Sequence, residues 1–148
     1  MNVSIRPAQK HDIEALVSLL HQLFEIEEDF SFDENKQRKG LELMLESNSN
    51  KIIVAEYQSE IIGLCTMQML ISTAEGGHVG LVEDMVVSNR YIGQGIGRKL
   101  ISEIEDWAKS KGFTRLQLLA DHENRSALDF YAKMGWSKTN LIGLRKVI

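Results

Sequence analysis

The chain has 148 residues, 43% of them hydrophobic and 26% charged, which suits one domain around one sizeable core and is short for two. Its formal net charge is −4 with no basic stripe, which argues against a nucleic-acid partner; the single cysteine, Cys65, excludes an intramolecular disulfide and a cysteine-rich zinc site. No stretch approaches the roughly 20 apolar residues of a membrane span, and the opening MNVSIRPAQKHDIE lacks the apolar run of a signal peptide, so the expected setting is cytoplasmic and reducing, with no membrane partner.

In chain order, residues 3–6 read as a short strand ended by Pro7. Asp12 reads as an N-cap, followed at helical spacing by Ile13, Leu16, Val17, Leu20, Leu23 and Phe24. The acid-dense stretch 25–34 reads as a loop, and 35–46 as a second helix with Leu41, Met44 and Leu45 inward. Residues 51–57 and 61–72 read as a β hairpin, and 78–88 as a third β run after the turn at Glu75, Gly76 and Gly77. A glycine-rich segment then opens a helix with the apolar stripe Ile96, Leu100, Ile101, Ile104, Trp107 and Ala108, stopped by Gly112. Residues 115–120 alternate into a further strand, 124–133 read as a short helix ended by Gly135, and 136–146 as the last β segment or two. The order β-α-α-β-β-β-α-β-α-β holds one strand–helix–strand crossover within a run of hairpins. It predicts an α/β protein with a mixed sheet and helices on both faces.

The most informative segment runs from Arg90 to Arg98, RYIGQGIGR, with Gly93, Gly95 and Gly97 alternating between the end of a strand and the start of a helix. Glycine lets a ligand approach the main chain closely, and the first amides of a helix lack internal partners at the positive end of its dipole. Together they make a phosphate cradle. A plain strand-to-helix turn needing glycine for packing is the alternative. The spacing G-x-G-x-G in the second half of the chain differs from the G-x-G-x-x-G of a dinucleotide-binding loop, and no G-K-[ST] follows, which excludes a P-loop.

This segment resembles the pyrophosphate-binding motif [QR]-x-x-G-x-[GA] of the GNAT superfamily of N-acetyltransferases. Gly95 and Gly97 fall on its signature glycines, and Ile92 stands where the family often has Arg or Gln. The resemblance extends to residues 82–87, VEDMVV, which match the family's preceding strand. It extends also to residues 124–136, NRSALDFYAKMGW, with Asn124, Tyr131 and the Gly135-Trp136 pair in the family's places. It covers nearly the whole chain, most strongly residues 78–136. It implies one domain over residues 1–148, built on a central, mostly antiparallel, twisted sheet with helices on both faces. It also implies acetyl-CoA as the acetyl donor, with no metal.

The resemblance further implies that main-chain groups of Met85, Val86 and Val87 meet the pantetheine arm and polarise the thioester carbonyl. Amides of Gly93, Gln94, Gly95, Ile96, Gly97 and Arg98 would hold the pyrophosphate, and Asn124 would bond the arm or cap its own helix. Acetyl transfer also needs a proton acceptor for the amine and a donor for the leaving thiolate. Tyr131 is the candidate acid, its phenol protonated at neutral pH, with a core aromatic as the alternative. Glu83 is the candidate base, directly or through water, with a structural carboxylate as the alternative. Strict alternation would set it with Met85 and Val87 and against Asp84. His78 and His122 rank below it.

The carboxylates Glu25, Glu27, Glu28, Asp29, Asp33 and Glu34 lie where the family forms part of its acceptor site. They either attract a small basic amine or form a solvated loop. Phe30 and Phe32 line that pocket or pin the loop to the core. A protein N-terminus or lysine as acceptor, and a non-catalytic acyl-CoA-binding regulatory module, are the other readings. The apolar tail, Leu141, Ile142, Leu144, Val147 and Ile148, serves either a homodimer or the core.

Overall fold

Three sequence runs rich in β-branched and apolar residues, separated by two short turns, form the longest strands. The computed structural model describes residues 1–27 and 31–148. In it β2 is Asn50–Tyr57, β3 is Glu60–Ser72 and β4 is Gly77–Val87, each antiparallel to its neighbour. Gln58 and Ser59 join β2 to β3 with φ of 49° and 64°, the two left-handed residues of a tight hairpin turn. β1, Ser4–Pro7, is antiparallel to β2 at the sheet edge, where Pro7 removes no ladder bond from the interior.

The helices are α1 (Ile13–Ile26), α2 (Glu34–Glu46), α3 (Ile96–Ser110) and α4 (Arg125–Lys133). β5, Leu116–Leu118, follows α3 and lies beside β4. The amide of Gly80 bonds the carbonyl of Arg115, and the amide of Thr114 that of His78, so contacts advance in the same direction along both segments. This is the parallel pairing of a crossover. The five-stranded sheet, ordered β1-β2-β3-β4-β5, is therefore mixed, as the element order predicts.

Helices cover both faces. Ile52, Val54, Leu64 and Val86 pack with Leu16, Leu20 and Leu23 of α1 and Leu41 of α2. On the other face α3 presses on Gly63. A Cβ there would meet Leu100 Cδ1 at 3.1 Å, the Val86 carbonyl oxygen at 3.2 Å and Ile96 Cγ2 at 3.4 Å. α3 ends in a Schellman motif: Gly112 has φ of +78°, its amide bonds the carbonyl of Lys109, and the Phe113 amide bonds that of Ala108. The chain groups into two compact units, Met1–Gln117 and Leu118–Ile148. Among the described residues no helix is long and apolar enough to cross a membrane.

Four expectations need correction. Asp12 precedes α1 but does not cap it; its carboxylate accepts from the Gln9 amide and pairs with Arg6. Glu25 and Ile26 continue α1, and Glu34 opens α2 behind Asp33, which supplies the cap to Asn35 and Lys36. Glu28, Asp29 and Phe30 lie outside the described residues. Phe32 stacks on His21 at 4.1 Å and packs against the core, so it pins the segment. The strand expected over 115–120 shortens to Leu116–Leu118, and residues 136–146 form no strand. β-prone sequence becomes a strand only beside a hydrogen-bonding neighbour, and here Thr139 Oγ1 takes the Leu141 amide in a local bond instead.

Candidate active site

The register between β3 and β4 slips at one place. Cys65 faces Met85, but Met67 faces Val82, so Thr66 alone stands opposite both Glu83 and Asp84. This is a β-bulge, which breaks side-chain alternation and re-aims the residues within it. Glu83 turns to solvent and accepts a hydrogen bond from Gln68 Nε2 at 2.9 Å. Asp84 turns inward. Thr66 Oγ1 donates to its Oδ2 at 3.0 Å and accepts from its amide at the same distance. Burial pushes the Asp84 carboxyl up to about 6; the Thr66 bond opposes that rise and the neighbouring Glu83 charge adds to it. Cys65, fully buried, has its thiol pushed up by burial first and by Asp84 second, so it is not a ready nucleophile. Reading β4 as strictly alternating passed over Asp84. The one sequence signal was Thr66, a hydroxyl in an otherwise apolar central run.

Beyond the bulge, Val86 enters the core while Met85 and Val87 are half-buried. The Gln22 amide of α1 grips the strand's exit: Nε2 donates to the Val87 carbonyl at 2.8 Å and Oε1 accepts from the Asn89 amide at 3.1 Å. A single 3₁₀ turn, Asn89–Tyr91, leads into the glycines. Gly93 and Gly95 both have φ of +82°, which L side chains rarely adopt, and a Cβ on either would meet nothing within 4 Å. Gly95 opens α3, no side chain caps it, and the first helical bond runs from the Lys99 amide to the Gly95 carbonyl. The amides of Ile96, Gly97 and Arg98 therefore lack acceptors within the helix. Consecutive donors at the positive end of a 15-residue helix, with open space above two glycines, suit a diphosphate. Gln94 bonds back to the Arg90 carbonyl at 3.4 Å, while Ile92, Arg98 and Lys99 are exposed.

In the second unit, Asn124 N-caps α4, its Oδ1 accepting from the Ala127 amide at 3.2 Å. Tyr131 lies seven residues along the same helix, its ring edge-on to Phe130 (centroids 5.1 Å apart) and tilted against Trp136 (5.6 Å). Its carbonyl accepts from the Trp136 amide at 3.0 Å, so the Gly135-Trp136 pair closes back on the helix end. His122 is solvent-exposed beside Asp121 and Glu123, and His78 lies in β4 against the Phe113 ring.

The bulged strand, the glycine-opened helix and the Asn-capped α4 all fall within residues 17–136, which match the model of the Acetyltransferase (GNAT) family. The chain belongs to the GNAT acetyltransferase family. The uncharacterized N-acetyltransferase YhfO of Bacillus subtilis is 27% identical over 136 residues, covering 92% of this chain and 91% of that protein. The thialysine N-epsilon-acetyltransferase of Bos taurus is 35% identical over 75 residues, 51% of this chain and 44% of that one. Among solved structures, a transcriptional regulator from Bacillus halodurans superposes with a TM-score of 0.87 at 25% identity, covering 99% of this chain and 100% of that one. An aminoglycoside acetyltransferase from a soil metagenomic sample superposes at 0.83 and 24% identity, covering 99% and 96%, which speaks for the fold. This GNAT protein is thus an N-acetyltransferase, and acetyl-CoA is the cosubstrate its family implies.

Proposed function

We propose that this GNAT enzyme, a single domain over residues 1–148, moves the acetyl group of acetyl-CoA onto the primary amine of a small basic acceptor by direct attack. The observation that carries the reading is the uncapped start of α3, where Gly93 and Gly95 hold left-handed backbone under open space directly after a bulged strand. Amides from Gln94 to Arg98 hold the pyrophosphate. Main-chain groups of Met85, Val86 and Val87 align the arm and polarise the carbonyl. Asn124 combines its cap with a contact to the arm, and Tyr131 gives the leaving sulfur its proton. One carboxylate of the Glu83-Asp84 pair accepts the amine proton. Bound acetyl-CoA supplies an acyl thioester already activated for attack.

Titrating the purified chain with acetyl-CoA, CoA and NADH tests this. At about 100 times Kd, a ligand of the folded state adds ~2.7 kcal/mol of stability. Acetyl-CoA is expected to stabilise and NADH not. Gly95→Val, which places a branched side chain over the cradle at a left-handed position, is expected to weaken acetyl-CoA binding at least about tenfold. An absence of any response to CoA species removes the reading.

The basic character of the acceptor rests on the acidic segment after α1 and on the thialysine-acetylating relatives. Glu25 and Glu27 lie at the end of α1 and just beyond it. Reversing both to lysine is expected to raise KM for thialysine by about tenfold with kcat held, through lost electrostatic attraction. An unchanged KM would leave those carboxylates as solvated surface. Leu141, Ile142, Leu144, Val147 and Ile148 are exposed and form the surface on which a homodimer would assemble.

A further inference from the structure

We infer that Gln22 of α1 is a positioning residue of the acetyl-CoA site: its side-chain amide stands in for a neighbouring strand at the end of β4 and so fixes where the diphosphate-binding turn begins. The inference rests on the acetyl-CoA reading above, and all the residues concerned lie in the unit Met1–Gln117. Gln22 Nε2 donates to the Val87 carbonyl at 2.8 Å, and Oε1 accepts from the Asn89 amide at 3.1 Å. A residue of a parallel strand bonds its neighbour in this way, taking the carbonyl before and the amide after the residue it faces. The Ser88 amide points the other way, to the Ile62 carbonyl of β3 at 2.8 Å. The backbone around Ser88 is therefore held from both sides, by a strand on one and by a single side chain on the other.

Beyond Ser88 the chain leaves the sheet. The Ser88 carbonyl accepts from the Tyr91 amide at 2.8 Å, closing the 3₁₀ turn, and Gly93, Gly95 and the start of α3 follow. The direction in which this turn departs sets where the amides of Ile96, Gly97 and Arg98 point. Its other fastenings are longer and exposed: Arg90 meets Glu60 at 3.5 Å, the Tyr91 hydroxyl meets Glu60 at 3.4 Å, and Gln94 reaches the Arg90 carbonyl at 3.4 Å. Exposed contacts of that length hold a segment weakly. Gln22 is half-buried on a helix already locked by the burial of Leu16, Leu20 and Leu23 against the sheet. Those leucines attach α1 without help from an amide, so what the two bonds add is direction at the end of β4. A ligand group supported from a packed helix is placed more accurately than one supported from a surface loop.

The test uses the purified full chain, with acetyl-CoA and S-acetylpantetheine as donors and thialysine, spermidine and an aminoglycoside as acceptors. Gln22→Met keeps the length and packing of the side chain and removes both bonds. It is expected to raise the acetyl-CoA Kd by about tenfold in calorimetry, the scale of two lost hydrogen bonds. Acetyl-CoA KM should rise by the same factor, while kcat at saturating acetyl-CoA and the KM of the acceptor hold within about twofold. S-acetylpantetheine lacks the diphosphate, so its kcat/KM should hold within about twofold as well. Gln22→Glu keeps the acceptor for Asn89 and loses the donor to Val87, and should raise the acetyl-CoA Kd at least about threefold. An acetyl-CoA Kd within twofold of wild type in both variants overturns the inference and leaves the cofactor reading intact. Equal losses with the two donors, or a kcat that falls together with the melting temperature, would make Gln22 a fastening of the whole strand and also overturn it. If none of the acceptors is turned over, the Kd comparison decides by itself. A wild type that binds no CoA species removes the cofactor reading and this inference with it.

Discussion

Replacing Arg6 by glutamine is expected to lower the unfolding free energy at pH 7 by about 3 kcal/mol, the scale of stranding one partner of a buried ion pair. Arg6 in β1 bonds Glu56 of β2 at 2.6 Å and grips Asp12 with two nitrogens, tying the sheet edge to the segment that starts α1. The Asp12 side chain is 3% exposed, and without Arg6 it keeps the Gln9 amide at 2.7 Å and the exposed His11 imidazole at 3.5 Å. The Arg6 guanidinium holds the Asp12 carboxyl below the usual range, outweighing the burial that opposes it. A depressed folded pKa means this stabilisation is present above the unfolded pKa of about 3.9 and is lost as pH falls through the lower folded value. Denaturant unfolding at pH 7 and pH 3 should therefore separate wild type from Arg6→Gln at neutral pH and bring them closer in acid. A difference under 1 kcal/mol at pH 7 would reduce the cluster to an ordinary surface pair.

Tyr131→Phe is expected to lower kcat by about 10²-fold while changing stability by less than about 1 kcal/mol. The ring is packed by Phe130 and Trp136, and phenylalanine keeps that packing and the helix-closing bond to the Trp136 amide. The substitution removes the hydroxyl proposed above as the proton donor to the leaving sulfur. Steady-state kinetics with calorimetric acetyl-CoA binding separates the two effects, since Kd should hold within a few-fold. An unchanged kcat would mean that water protonates the thiolate and that α4 serves binding alone. Asp84 sets the opposite balance: as a buried charge raised from 3.8 to about 6, it costs on the order of 2–3 kcal/mol at neutral pH. Because the cost of a raised carboxyl pKa develops as pH rises from the unfolded to the folded value, Asp84→Asn should gain most above pH 6.

Much of this enzyme was legible without coordinates. Ile96, Leu100, Ile101, Ile104 and Ala108 recur every three or four residues because one face of a helix must be apolar to be buried, and all five are buried. Gly93 and Gly95 were legible because backbone at φ of +82° penalises nearly every other residue, so local geometry is written into local sequence. Asn124 three residues before the Ala127 amide could be read as a cap for the same reason.

Tertiary structure alone decided the rest. The bulge that separates Asp84 from Glu83 depends on how β4 registers against Thr66, a residue 18 positions away. Asp12 looks like a cap until Arg6, itself held by Glu56 across the sheet, takes its carboxylate. Residues 136–146 read as strand, yet strand structure needs a partner that no residue carries within itself. Periodicity and turn chemistry involve neighbours a few residues apart, which the chain order states directly. A carboxylate's charge, by contrast, is set by the water excluded and the partners supplied by distant segments, and those exist only once the chain has folded.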